Sequence, residues 1–415
     1  MSQKSPLVTI FITVLIDLLG VGIVIPVIAP LLLQSEHNLL ASSMDLDTRT
    51  IVLGFLIASF PIAQFFGAPI LGSLSDRHGR KKVLALSLVG TAAGYVLFAY
   101  AIISQNIFIL FLSRALDGFT GGNIAIAYSA ISDSSDQESK ARNFGMVSAA
   151  FGIGFILGPF IGGKLADPSI VSWFNMATPF WFAAIISTIN LLFVLFAFPE
   201  TLKNKKQSTI SLLTGIRNIK QAFELKHLQV LFLVVLLHSI GFNFFTQFFQ
   251  VFLIGKFDFG VSQIADLFAF IGIWIILAQG GLQRPLSKMF VPYKIIRVSS
   301  LLLALVMPML LVPNNPKYLY YIVPLIAIFQ GLTLPNLTTL VSNQAGKDSQ
   351  GQILGINQSI QSLGTALPPI IASYINNVNI SLPISSSAIC IFLSWTILIV
   401  FFKRIKEQSK HINQT

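Results

Sequence analysis

The chain has 415 residues, of which 54% are hydrophobic and only 10% are charged, against roughly 25% charged in an ordinary soluble domain. That deficit excludes a soluble globular protein and makes lipid the solvent. The net charge of +11 would suggest a nucleic-acid partner if the basic residues shared one soluble face, but they lie between long apolar runs, which excludes that partner.

In chain order, apolar runs long enough to cross a bilayer, about 20 residues each, occupy approximately residues 7–33, 50–71, 83–103, 106–132, 142–166, 177–199, 228–255, 262–283, 294–313, 317–343, 350–376 and 383–402. In hydrocarbon every backbone polar group must bond within its own segment or to a neighbour, so each run predicts a helix. The expected fold is an all-α polytopic membrane protein with twelve transmembrane helices. With the amino terminus in the cytoplasm, 22 of the 27 Lys and Arg residues fall on the cytoplasmic side. The opposite side holds Arg49, Lys164, Lys256 and Lys317, and Arg114 lies inside a helix. The positive-inside rule then puts both termini in the cytoplasm. The first run carries Asp17 and two prolines without a small-residue cleavage signature, so it predicts a retained helix rather than a signal peptide. A single cysteine, Cys390, precludes an intramolecular disulfide.

One long polar interruption, residues 200–227, separates a six-helix bundle at 1–199 from a second at 228–402, with a cytoplasmic tail at 403–415. It holds "KNKK" (203–206), then Ile210, Leu212, Leu213, Ile216, Ile219 and Phe223 at helical spacing, with Arg217, Lys220 and Lys226 interleaved. This pattern predicts a helix along the cytoplasmic membrane surface, with a plain linker as the alternative. The halves also align. A shift of 210 lays "FGMVSAAFGIGFILGPFIG" (144–162) on "LGINQSIQSLGTALPPIIA" (354–372), matching Gly145, Gly154 and Pro159 to Gly355, Gly364 and Pro369. A shift of 213 lays "DGFTGGN" (117–123) on "QGLTLPN" (330–336), and one of 212 lays Asp76 on Lys288. Ordered, near-constant offsets predict two six-helix pseudo-repeats, a transporter architecture with the substrate site at the repeat interface.

Ionisable residues within spans are expensive and mark function. Asp17 lies about ten residues, roughly 15 Å, into the first helix, where it is the candidate coupling acid that binds a proton in competition with a cationic substrate; a structural acid paired to a neighbour is the alternative. Arg114 and Asp117, three residues apart, can pair on one face, as a coupling element or as a structural ion pair. His238 could relay a proton or simply be hydrogen-bonded within the bundle. Amides where no charge is needed, Gln64, Asn123, Asn243, Gln247, Gln330, Asn336, Asn357, Gln358 and Gln361, are candidate cavity residues or helix-to-helix glue. The aromatic run "FNFFTQFFQVF" (242–252) could add walls for a flat apolar ligand. Gly154, Gly158 and Gly162 recur every four residues and let helices approach closely, with Pro159 as a local break.

Four stretches carry a family likeness. "GSLSDRHGRKKV" (72–83) resembles the loop signature of the major facilitator superfamily, and "SRALDGFTGGN" (113–123) resembles its fourth-helix motif. "GFILGPFIGG" (154–163) is similar to the fifth-helix motif of its drug:proton antiporters, and with "DLLGVGIVIPVIAP" (17–30) the set resembles the twelve-helix tetracycline and multidrug exporters. The resemblance implies a conformational latch: Gly72 and Gly79 form a tight turn, and Arg77 and Arg80 pair with Asp133 or Asp136. Asp76 is implied to sit at the start of helix eleven, near Asp348 and Ser349, where a helix N-terminus favours an anion. Lys288, where Asp76 would map, implies a weaker latch in the second half. The resemblance also gives Arg114 a role in proton coupling, and makes Gly154, Gly158, Pro159, Gly162 and Gly163 a gasket between the halves that prevents proton leak.

One departure bears on the substrate. Tetracycline exporters have an acid where this chain has Gly94, and residues 294–313 hold no Asp or Glu, so tetracycline itself is not the expected ligand. The leading expectation is a proton-coupled exporter of small, mostly apolar or cationic organic compounds, working by alternating access. An uptake carrier for a metabolite or siderophore is the alternative. A membrane enzyme or sensor fits less well, since the spans offer no nucleophile, base or metal set. The expected setting is the bacterial inner membrane, as a monomer, with protons and a small molecule as partners and with neither cofactor nor metal.

Overall fold

The structure is a computed structural model that describes residues 6–34, 39–41, 43–135, 140–202, 214–225, 228–344 and 350–412. For residues 6, 140–149, 151, 350–352, 354 and 402–412 it describes the backbone alone. Asp136, Asp348, Ser349, "KNKK" (203–206), Ile210, Leu212, Leu213 and Lys226 lie outside the described residues.

The elements in order are α1 (Pro6–Leu33), α2 (Leu46–His78), α3 (Arg80–Ile103), α4 (Ile107–Thr120) and α5 (Ile124–Asp133). A 3-10 turn at Gly121–Asn123 joins the last two. Next come α6 (Lys140–Leu165), α7 (Thr178–Ala197), the short α8 (Thr214–Glu224), α9 (Gln229–Phe257) and α10 (Val261–Ile276). A π-helical turn at Leu277–Leu282 leads into α11 (Gln283–Met289), followed by α12 (Pro292–Val306), α13 (Leu319–Ser342), α14 (Gln350–Val378) and α15 (Leu382–Ile412). Among the described residues nine helical stretches are long and apolar enough to cross a membrane. The other spans are α4 with α5, divided by the turn, α6, and the amide-bearing α14. With α10 and α11 counted as one, the twelve spans match the twelve apolar runs.

The chain divides into two compact units, Met1–Leu212 with Phe259–Gly272, and Leu213–Asp258 with Ile273–Thr415. In the first, α1 packs on α6 and α7, and α3 packs on α4 and α7. In the second, α9 packs on α14 and α15, and α12 packs on α13 and α15. Each set of six thus pairs its first helix with its fifth and sixth, and its third with its fourth and sixth. The duplication reaches single atoms. Thr91 and Thr120 share a hydrogen bond of 3.1 Å between α3 and α4, and Ser299 and Thr333 share one of 2.7 Å between α12 and α13. Thr333 is the residue that the shift of 213 lays on Thr120.

Lipid lacks the differential that drives apolar side chains together in water, so close backbone approach does much of the holding. Along the α1–α6 seam a Cβ built on Gly158 would stand 2.7 Å from the Cα of Gly22, and one on Gly154 would stand 2.6 Å from Leu18 Cβ. A Cβ on Gly162 would collide with the carbonyl oxygen of Ile23. These three glycines therefore face α1, inside one unit. Gly163 instead meets Ala265 of α10, and next to it Lys164 Nζ bonds Ser262 Oγ at 2.7 Å and Asp266 at 2.9 Å.

The expected loop around 72–79 is mostly helix. α2 continues to His78, and the only turn residue is Gly79, at φ 106°. Gly72 sits within α2, where a Cβ would rest in ordinary contact with Ala125 Cβ at 4.0 Å. A left-handed residue reverses the chain in one step and glycine alone takes that conformation without strain, so a second glycine is not needed for the turn. Further along the chain, α8 forms a helix whose Asn218 donates to Ser359 Oγ on α14 at 3.0 Å.

Candidate functional site

In the first unit four polar residues come together where α1, α3 and α4 meet. Asp17 comes from α1, Tyr95 from α3, and Arg114 and Asp117 from α4. Glycines bring these helices together: Gly94 puts α3 against Asp117, whose Cβ would be 3.1 Å from a Cβ built there, and Gly20 puts α1 against the Tyr95 hydroxyl. The Gly121–Asn123 turn then swings Asn123 inward, where its Nδ2 donates to Asp17 Oδ2 at 2.6 Å. Asn123 is thus a partner of the acid, and Gln64 is a tie between helices, donating to the Gly121 carbonyl at 3.0 Å.

Arg114 Nη1 donates to Asp117 Oδ2 at 3.3 Å, and both residues are buried. The guanidinium also lies over the Phe60 ring, 4.6 Å from its centroid. Three atoms in this cluster are buried without a hydrogen-bond partner: Asp17 Oδ1, Tyr95 Oη and Arg114 Nε. Buried polar atoms are nearly always paired, because an orphan keeps its desolvation cost. Chemically the cluster offers an acid that can take up a proton, a second acid held by a cation, and a neutral hydroxyl.

A second cluster surrounds the α2–α3 turn. Arg80, 5% exposed, pairs with Asp76 at 2.6 Å and Asp133 at 2.9 Å and donates to Ser75 Oγ at 2.6 Å. Arg77 is exposed and makes no ion pair among the described residues, Arg80 makes the contact to Asp133, and Asp136, the other expected partner, lies outside the described residues. Asp76 pairs with Arg80, one helical turn away; its expected neighbours, Asp348 and Ser349, lie outside the described residues. The residue that sequence reasoning missed is Glu200. Its carboxylate accepts the backbone N–H groups of Arg80, at 2.9 Å, and Lys81, at 3.2 Å, capping the start of α3 from 120 residues away. Only its place after Pro199, at the end of an apolar run, hinted at a fixed position.

The remaining expected amides divide. Asn336 Nδ2 donates to Gln283 Oε1 at 2.8 Å and Gln330 shares a bond of 3.0 Å with His238 Nε2, so both join helices of the second unit. Asn243 donates back to the Ser239 carbonyl at 2.8 Å. Gln247 and Gln361 are half-buried, and Asn357 Oδ1 is buried without a partner. Arg49 was also missed as a structural residue: it is 7% exposed and donates to the carbonyls of Met44, Ala41 and Leu32, the last in the final turn of α1. No group of three or more His, Cys, Asp or Glu residues that could hold a metal occurs among the described residues.

A family model described as Major Facilitator Superfamily matches residues 10–369. The chain is 30% identical over 376 residues to tetracycline resistance protein, class C, of Escherichia coli, a match that covers 90% of each chain. It is 29% identical over 388 residues to multidrug resistance protein 1 of Bacillus subtilis, covering 92% of this chain and 93% of that one. Among solved structures, the human organic anion transporter MFSD10 superposes with a TM-score of 0.74 at 22% identity, over 96% of this chain and 100% of the other, which speaks to the fold.

Proposed function

The chain belongs to the major facilitator superfamily, and from that premise we propose that it is a proton-coupled exporter of small, mostly apolar or cationic organic compounds, working by alternating access. The observation that carries the export reading is the match over nine-tenths of the chain to relatives named for resistance to tetracycline and to multiple drugs. The cluster of Asp17, Arg114 and Asp117 supports proton coupling, since an ionisable group within a span is tolerated where it moves charge. Each proton that enters supplies about 2.3 kcal/mol per 100 mV of membrane potential. Uptake of an anionic metabolite is less supported: Arg114, the cation it would use, is engaged by Asp117.

Gly94 weighs on substrate choice. An acid there would have to occupy space that Asp117 fills, so the pocket offers its charge from Asp17 instead, and cationic or neutral compounds are the proposed class. Asn357, Gln247 and Gln361 are the proposed polar points of the substrate cavity. Arg80, with Asp76 and Asp133, is the proposed conformational latch. The proposed setting is a bacterial inner membrane, as a monomer with both termini in the cytoplasm.

The test uses inside-out vesicles with an imposed proton gradient, to which cationic dyes, antibiotics and organic acids are added in turn. Collapse of the gradient that requires both a compound and Asp17 is the expected result. Absence of collapse with every compound, together with uptake in right-side-out vesicles, would replace export by import.

A further inference from the structure

We propose that the hydroxyl of Tyr95 is a proton relay between Asp17 and the Arg114–Asp117 pair, closing a path that the two acids do not span by themselves. This rests on the antiport reading above and extends it to a residue outside every motif discussed.

Tyr95 is 1% exposed, and its hydroxyl oxygen is buried without a hydrogen-bond partner. It points at the backbone of α1 at Gly20, where a Cβ would overlap it. Gly20 follows Asp17 by three residues, so both lie on one face of α1, about 5–6 Å apart between neighbouring side-chain positions. The residue before Tyr95, Gly94, rests on Asp117. The charged groups on the helices around the phenol are therefore Asp17 on α1, one turn from Gly20, and the Arg114–Asp117 pair on α4, which packs against the neighbouring Gly94. Nearby, Asp17 Oδ1 is also without a partner. A phenylalanine would fill the same space and strand no polar atom, so packing does not explain the hydroxyl.

The step balances without any further reactant. When α1 and α3 bring the groups into contact, protonated Asp17 gives its proton to Tyr95 Oη as the phenolic proton passes to the Asp117 carboxylate. One O–H bond breaks on Asp17, one forms on Asp117, and tyrosine is neutral before and after. Asp117, once neutral, loosens its hold on the Arg114 guanidinium. In the present arrangement Tyr95 Oη is hydrogen-bonded to neither acid, so the relay is open, and it closes only when Asp17 of α1 and Asp117 of α4 both come within bonding distance of the phenol.

Tyr95→Phe removes only the hydroxyl. In proteoliposomes, with ethidium and tetracycline as probes, two rates are compared: probe-for-probe exchange without a gradient, and accumulation driven by a proton gradient. The variant is expected to exchange at the wild-type rate while driven accumulation falls at least tenfold. Driven accumulation at the wild-type rate would overturn the relay, and so would an equal loss of both activities, which marks a packing role. A wild-type protein that exchanges a probe but does not accumulate it with a proton gradient would refute the antiport reading, and the relay with it.

Discussion

Replacing Gly79 with alanine tests whether the α2–α3 turn is held as described. At φ 106° and ψ 149° the residue occupies a region open to glycine alone, so a Cβ there carries about 1–3 kcal/mol of strain. The new methyl would also strike the Glu200 carboxylate, displacing the acceptor of two N–H groups at the start of α3. Bonds to a charged acceptor contribute about 1.5–3 kcal/mol each when shielded, and Glu200 is exposed, which discounts them. A total near 3 kcal/mol corresponds to a melting temperature about 6–12 °C lower for a unit of roughly 200 residues. Thermal unfolding of detergent-purified protein, followed by size-exclusion chromatography after heating, reads this directly. Glu200→Ala in the same background should then add little, because the alanine has already moved the carboxylate. A Gly79→Ala protein that melts within about 2 °C of wild type, against this estimate, would refute both the strain and the cap.

Other outcomes follow from the same contacts. Asp17→Asn keeps the shape and an acceptor for Asn123, so the variant should fold while losing proton-driven uphill transport; gradient-driven accumulation in vesicles, beside its thermal stability, checks it. Arg49→Ala strands three carbonyls and should lower stability by about 2–3 kcal/mol, seen as a lower melting temperature with exchange intact below it. Gly158→Val drives a branched side chain into the Gly22 backbone and should cost more than the about 1–3 kcal/mol of ordinary overpacking; the yield of monodisperse protein after solubilisation measures it. Gly94→Asp crowds Asp117 and should abolish transport without conferring tetracycline export, as growth and vesicle assays would report.

Helix number and order were legible because hydrocarbon forces every backbone group to pair, and twelve apolar runs leave little freedom. Asp17, Arg114 and Asp117 were legible because charge stands out against an apolar span. Tyr95 and Glu200 were not, for opposite reasons. One is among the aromatics of an apolar helix and the other an acid at a span end, and only the return of a distant segment, α1 for Tyr95 and the start of α3 for Glu200, gives each its neighbours. Helix continuity through Gly72 was also hidden, since two glycines in a short polar stretch read as a loop until the space around each is known. The amides of Asn123 and Asn336 looked alike under the shift of 213, yet one faces an acid and the other an amide, because the helices they meet have diverged.

The seam between α1 and α6 restricts how this protein can change shape. Where backbone touches backbone, no rotamers are available to absorb a slide, and a shift of even one residue would set Leu18 or Ile23 against a helix that has no hollow for it. The two helices are consequently a single strut. Bending must then be taken up where the ladder of backbone bonds is already interrupted, at Pro26 and Pro30 in α1 and Pro159 in α6, or at the Gly121–Asn123 turn beside Asp17.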